Sequence, residues 1–207
     1  MSNSVPRRTV VTSAAWAAPV IALAAAAPFA VASQPCPVFT EFNQWTRSGA
    51  TDGQFVQNTG PIQYDTTTDT FLSVADNLST STTATVTLST TFNVVAGRTY
   101  TFSWGLRGSL GIAANGSSKQ GLMITAAQAG APTQTVYAGQ TRNPDPGFEQ
   151  ILIAGPPPAP RTSSFTATLS GPLTLSYTFT FAPRPVGAET ANDDIYAKVP
   201  LFATNTC

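Results

Sequence analysis

The chain contains no histidine. That excludes Ser-His-Asp and Cys-His catalytic arrangements and removes the commonest zinc ligand. Cysteine is nearly absent too: there are two, Cys36 and Cys207, with no CxxC spacing. Charge is scarce, at 10% of residues, and no basic run or patch occurs, so nothing points to nucleic acid. After residue 33 no apolar run is long enough to span a bilayer, so no membrane association is expected of the mature chain. No segment beyond that point keeps a helical period. The surface must therefore be built from Thr, Ser, Asn and Gln.

What is present begins with an address. Arg7-Arg8 supply a positive front, and an alanine-rich apolar stretch runs from Ala14 to Val31. Ala30-Val31-Ala32 then fits a small-x-small cleavage pattern, so residues 1–32 read as a cleaved export signal. Pro19 and Pro28 interrupt the stretch, which argues against a retained anchor. Arg7-Arg8-Thr9-Val10-Val11 resembles a twin-arginine signal, although a Sec signal also carries basic residues here. The segment as a whole resembles the leaders of actinobacterial secreted proteins. Residues 33–207 are expected to form one secreted domain, at the cell surface or released. This length suits one domain with a real core. Without the leader, eight basic residues face ten acidic ones. The oxidising environment outside the cell should close Cys36 onto Cys207. Chain-entropy estimates for so long a loop approach ~5 kcal/mol.

The mature chain alternates with a period of two. Val86, Leu88, Thr90, Phe92 and Val94 share one face, and Thr85, Thr87, Ser89, Thr91 and Asn93 the other. Tyr100, Phe102, Trp104 and Leu106 alternate with Thr99, Thr101, Ser103 and Gly105. Leu173, Leu175, Tyr177, Phe179 and Phe181 alternate with Thr174, Ser176, Thr178 and Thr180. Such half-buried strands belong to antiparallel sheets. Further strands are expected at Val38–Trp45, Gln54–Gln57, Ile62–Tyr64, Thr70–Val74, Leu122–Ala127, Thr133–Tyr137, Phe148–Ile153, Thr162–Leu169 and Ile195–Leu201. Asn115-Gly116, Asn143-Pro144-Asp145-Pro146-Gly147 and Ser170-Gly171-Pro172 carry turn chemistry between them. The GPPPAP run at 155–160 reads as a stiff loop between strands. About ten short strands in a chain this long imply an all-β sandwich or barrel.

Three motifs in order then resemble the galactose-binding-like jelly rolls, which include many carbohydrate-binding modules. They are a Phe-rich segment leading to Trp and Gly (Phe39 to Gly49), FNVVAGRTYTFSW at 92–104, read as a hairpin, and the closing NDDIYAKVPLF at 192–202. The resemblance implies an antiparallel two-sheet sandwich whose first and last strands lie close, and a non-catalytic domain engaging envelope or environmental glycan. The alternative is a structural cell-surface or adhesion protein on the same sandwich without a sugar site. Among carboxylates, Glu41, Glu149 and Glu189 could serve a glycosidase, but no spacing selects a pair. Family members often hold structural calcium between the last and first strands. Here Asp193, Asp194 and Glu41 would be its ligands, since hard cations need several oxygens. A glycan site needs an exposed aromatic ring with polar neighbours. Trp104 is in phase with the core. Trp45, Tyr64, Tyr137 and Arg47 are the residues assigned to ligand binding, and Tyr196 also faces outward by phase.

Overall fold

A computed structural model describes residues 36–51, 54–55, 60–110, 118–184, 186 and 193–203, all within one compact unit, Pro35–Cys207. The export signal at 1–32 and Cys207 lie outside the described residues.

The chain builds two sheets face to face. The first has the order β1-β4-β10-β6-β7-β8, from Thr46–Gly49, Ala84–Val94, Gly171–Phe181, Gln120–Ala127, Gln134–Gln140 and Glu149–Gln150. The second is centred on β5 (Thr99–Ser109). Along one edge β5 pairs with β9 (Ala159–Thr166), and along the other with β11 (Asp194–Lys198) and then β12 (Leu201–Phe202). β3 (Thr70–Ser73) and β2 (Gln63–Asp65) complete it. All these pairings are antiparallel except the short β7–β8 contact. The fold is therefore an all-β two-sheet sandwich, one of the two architectures the alternation implies and the one the jelly-roll resemblance implies.

The apolar phase of each long strand turns inward. Leu88, Leu122, Leu175, Tyr177 and Phe179 from the first sheet are fully buried, as are Phe71, Ile195 and Ala197 from the second. Burial of this kind contributes roughly 1.5–3 kcal/mol per large side chain. The outward phase of the first sheet is hydroxylated and uncharged. Thr87 and Thr178 lie 3.2 Å apart across β4 and β10, and Thr91 and Thr174 lie 3.1 Å apart.

Residues 92–104 are not a hairpin. β4 lies in the first sheet and β5 in the second, so the turn at Gly97 carries the chain across the sandwich. Gly97 takes φ 76°, the left-handed region where a side chain is strained. Ser170-Gly171 makes the reverse crossing beside it. Gly97 N–H donates to Ala167 O (2.7 Å) and Ala96 N–H to Ser170 Oγ (2.9 Å), so the two crossings hold one another.

The expected strand Val38–Trp45 is absent. Residues 36–40 are irregular, and Phe42–Gln44 form one 3-10 turn. Gln44 Oε1 accepts the N–H groups of Glu41 (3.0 Å) and Thr40 (2.8 Å), which stabilises the turn. A spacing of three then sets Phe39, Phe42 and Trp45 against the core, where strand alternation would have split them. The expected last strand, Ile195–Leu201, divides into β11 and β12 around Val199-Pro200, because Pro200 has no N–H for the ladder. Of Phe148–Ile153 only Glu149–Gln150 is strand, with an isolated bridge from Ile153 to Gly108.

Candidate functional site

The register of the second sheet lays two rungs on its outer face. One runs Gln63, Leu72, Tyr196, Arg107; the other runs Asp65, Thr70, Lys198. These side chains are outward because their neighbours Phe71, Ile195, Ala197 and Leu106 fill the core. The Pro156–Pro158 loop rises along one side and the turn at Thr68 along the other. Together they enclose a pocket of about 360 Å³. Gly105 permits this: a Cβ there would lie 3.1 Å from Pro158 Cβ and 3.3 Å from Lys198 Cδ.

Arg107 and Tyr196 organise the floor. The guanidinium carbon lies 3.3 Å from the centroid of the tyrosine ring, a close cation–π stack. Arg107 Nη1 donates to Ala154 O at 3.4 Å, while its Nε is buried without a partner. Asp65, at the rim, accepts hydrogen bonds from Thr68 Oγ1 (2.6 Å) and Thr67 N–H (2.8 Å), which hold its carboxyl below the usual range. A second hollow, of about 310 Å³, adjoins the first and shares Thr68 and Lys198 with it. It continues past Ser103 toward Leu201. The two make a cleft across the sheet face.

None of the four residues assigned to ligand binding from sequence lines the larger pocket. Trp45 is 5% exposed and packs edge-on against Phe71 (5.0 Å) and Tyr177 (5.5 Å). The 3-10 turn before it rotates it into the core. Tyr64 points inward from β2, stacks on Phe42 at 5.6 Å and donates to Asp69 Oδ1 at 2.9 Å. Burial, then Asp69, pushes its phenol up to about 12. Tyr137 is 7% exposed and meets Trp104 edge-on at 5.0 Å. Arg161 covers both rings, 5.0 Å from the Tyr137 centroid and 5.9 Å from that of Trp104, and pairs with Glu149 at 2.5 Å. This lid ties β9 of one sheet to β8 of the other. Burial, with Glu149 beside it, raises the Tyr137 phenol. Arg47 donates to Ala50 O at 3.2 Å beside a shallow hollow on β1, away from the rest. Trp104 is core, as its phase implies.

The residues assigned to calcium are also separated in role. Asp193 is fully buried and accepts from Arg142 Nε (2.7 Å), Arg142 Nη2 and Thr141 Oγ1 (2.7 Å). Its carboxylate is thus engaged by a guanidinium. Asp194 is pushed up to about 6, by burial first and then by the charges of Asp76 and Asp193, with Arg107 opposing. Glu41 sits at the 3-10 turn and accepts from Asn43 Nδ2 at 2.8 Å. Among the described residues no three acidic or thiol groups converge on a metal position.

Sequence reasoning missed Arg107 and Lys198. The available signal was phase: Tyr196 and Lys198 share the outward face of β11, and Arg107 the outward face of β5.

No family model matches the chain, and no curated protein matches it. Solved structures it resembles include TmCBM61 in complex with β-1,4-galactotriose. That match has 9% identity and a TM-score of 0.45, over 80% of this chain and 91% of the other. A second is a CBM4 structure, at 14% identity and TM-score 0.35, covering 83% and 94%. A third is the CBM22-1–GH10 modules of Clostridium thermocellum endo-1,4-β-D-xylanase 10B, complexed with xylohexaose. It has 12% identity and TM-score 0.36, over 78% of this chain and 26% of the other. The fold assignment stands on the strand pairing above.

Proposed function

We propose that this is an exported, non-catalytic glycan-binding sandwich that engages envelope or environmental polysaccharide on the outer face of its second sheet. The observation that carries the reading is the Arg107–Tyr196 stack on the floor of a pocket walled by three prolines. Its volume lies within the usual small-ligand range of roughly 300–1,000 Å³. Sugar rings present apolar C–H faces, which suit the proline rings and Leu72. Their hydroxyls suit the carboxylate of Asp65, the Thr68 hydroxyl and the Lys198 ammonium. The adjoining hollow extends the cleft, which suits linked sugars.

Export and the Cys36–Cys207 bond are part of this proposal. Cys36 Sγ lies 3.2 Å from Ala203 O, four positions before Cys207 in the chain, which supports the pairing.

A glycan array on the full chain, followed by titration of any hit against Tyr196→Ala, tests the reading. Binding that weakens about tenfold or more, with folding retained, is expected. No binding to any polysaccharide or wall fraction would reject it. The rival, a structural surface protein without a sugar site, draws support from the uncharged Thr/Ser face of the first sheet. It predicts that Tyr196→Ala changes nothing measurable beyond stability.

A further inference from the structure

We infer that the saccharide held in this pocket is acidic, with a carboxylate seated on Arg107 and Lys198. The inference rests on the proposed glycan-binding reading and adds the ligand's charge.

Cations are few in this chain, and three of them sit in ion pairs. Lys119 pairs with Asp145, Arg142 with Asp193, and Arg161 with Glu149. Arg107 and Lys198 make no ion pair among the described residues, yet they line the same pocket. Two unpaired cations in one small enclosure repel each other. In a protein this poor in charge, that arrangement suits a site whose counter-ion arrives with the ligand.

Arg107 shows how the anion would be held. A guanidinium is planar and presents its N–H groups as a fork that matches a carboxylate. Here the plane is fixed by stacking on Tyr196, so little freedom is lost when a ligand binds. One edge is anchored on Ala154 O, and the Nε N–H is buried without an acceptor. Lys198, in the next rung, adds an ammonium on the same side.

The pocket's acids do not cancel this field. Asp65 is held by Thr67 and Thr68 at the rim, where it can still accept from a sugar hydroxyl. Asp194 feels the charge of Arg107 but makes no ion pair with it. A neutral sugar would leave both cations without an ion-pair partner, whereas a uronate ring supplies one carboxylate beside several hydroxyls.

The test compares oligogalacturonate with its carboxyl-reduced form, using the full chain and calorimetry at physiological salt. The acid form should bind at least about tenfold more tightly. Arg107→Gln should abolish that preference, Lys198→Gln should reduce it, and Arg98→Gln, on the exposed Gly97 crossing, should leave it unchanged. If Arg107→Gln does not fold, the wild-type preference together with the Lys198→Gln result decides. Equal affinity for both forms, or a preference that survives both substitutions, would overturn the acidic assignment and leave the glycan reading standing. Binding of neutral glycans alone on the array would do the same. Silence across the whole array would remove both.

Discussion

Arg142→Met should be among the most damaging single substitutions outside the apolar core. Asp193, just before β11, is fully buried, and Arg142, just after β7, supplies two of the hydrogen bonds to its carboxylate. The pair therefore links the two sheets. Removing the guanidinium strands a charge away from water, with the Thr141 hydroxyl still donating to it. Losing one partner of a buried pair costs about 3–5 kcal/mol. In a domain of this size each kcal/mol lowers Tm by roughly 2–4 °C, so a fall of about 6–20 °C is expected. Adding Asp193→Asn to Arg142→Met removes the stranded charge, so the double variant should recover a good part of the loss. Urea unfolding followed by tryptophan fluorescence suits the measurement, because Trp45 and Trp104 are both buried in the folded state. A loss below about 1 kcal/mol for Arg142→Met, or additive behaviour in the double-mutant cycle, would refute the reasoning.

Asp194 sets a pH dependence. Its folded pKa of about 6 lies above the ordinary 3.8, so the folded state holds the extra proton between those values. Stability should fall as pH rises through that window and level off above it. The full shift corresponds to about 3 kcal/mol, reduced by its partial exposure to about 1–2. Asp194→Asn should therefore stabilise at pH 7 and flatten the profile between pH 4 and 6; a persisting slope counts against it. Tyr177 has a fully buried hydroxyl without a partner, so Tyr177→Phe should be neutral or stabilising by up to about 1 kcal/mol in urea titrations. A clear loss would reveal a missed partner. Gly139 lies against the Tyr137 ring, where a Cβ would fall 2.0 Å from the hydroxyl, so Gly139→Ala should cost about 1–3 kcal/mol by the same assay. Thiol labelling of denatured, unreduced protein should find no free thiol; two would contradict the Cys36–Cys207 bond.

The long strands were legible because each repeats one rule. Val86 to Val94 and Leu173 to Phe181 alternate apolar with hydroxyl residues, and β4 and β10 pair along that whole length. What alternation does not encode is which sheet a strand joins. Residues 92–104 look like a hairpin because Gly97 marks a turn, yet the turn crosses the sandwich. The first segment was misread for a local reason. Phe39, Phe42 and Trp45 repeat at three, and Gln44 three places after Glu41 resembles a helix-start pattern. The site was the least legible part. Tyr137 sits near a loop in sequence, but Arg161 and Glu149, distant along the chain, cover it. Arg107 meets Tyr196 only through the register of β5 with β11, which no local pattern announces.

The placement of strand lengths bears on how readily copies of this chain would pair edge to edge. With 10% charged residues and a formal net charge of zero, it has little electrostatic repulsion to keep copies apart. A sheet edge is then the main hazard, because its unpaired N–H and C=O groups can template another chain. The three eleven-residue strands β4, β5 and β10 each have neighbours on both sides. The first sheet ends in four-residue β1 and two-residue β8, and the second in three-residue β2. The longest edge, β9, carries Pro160, which offers no N–H, as its second residue, followed by Arg161. Resistance to aggregation thus lies in strand order rather than in charge, and lengthening an edge strand would threaten it more than neutralising a surface lysine.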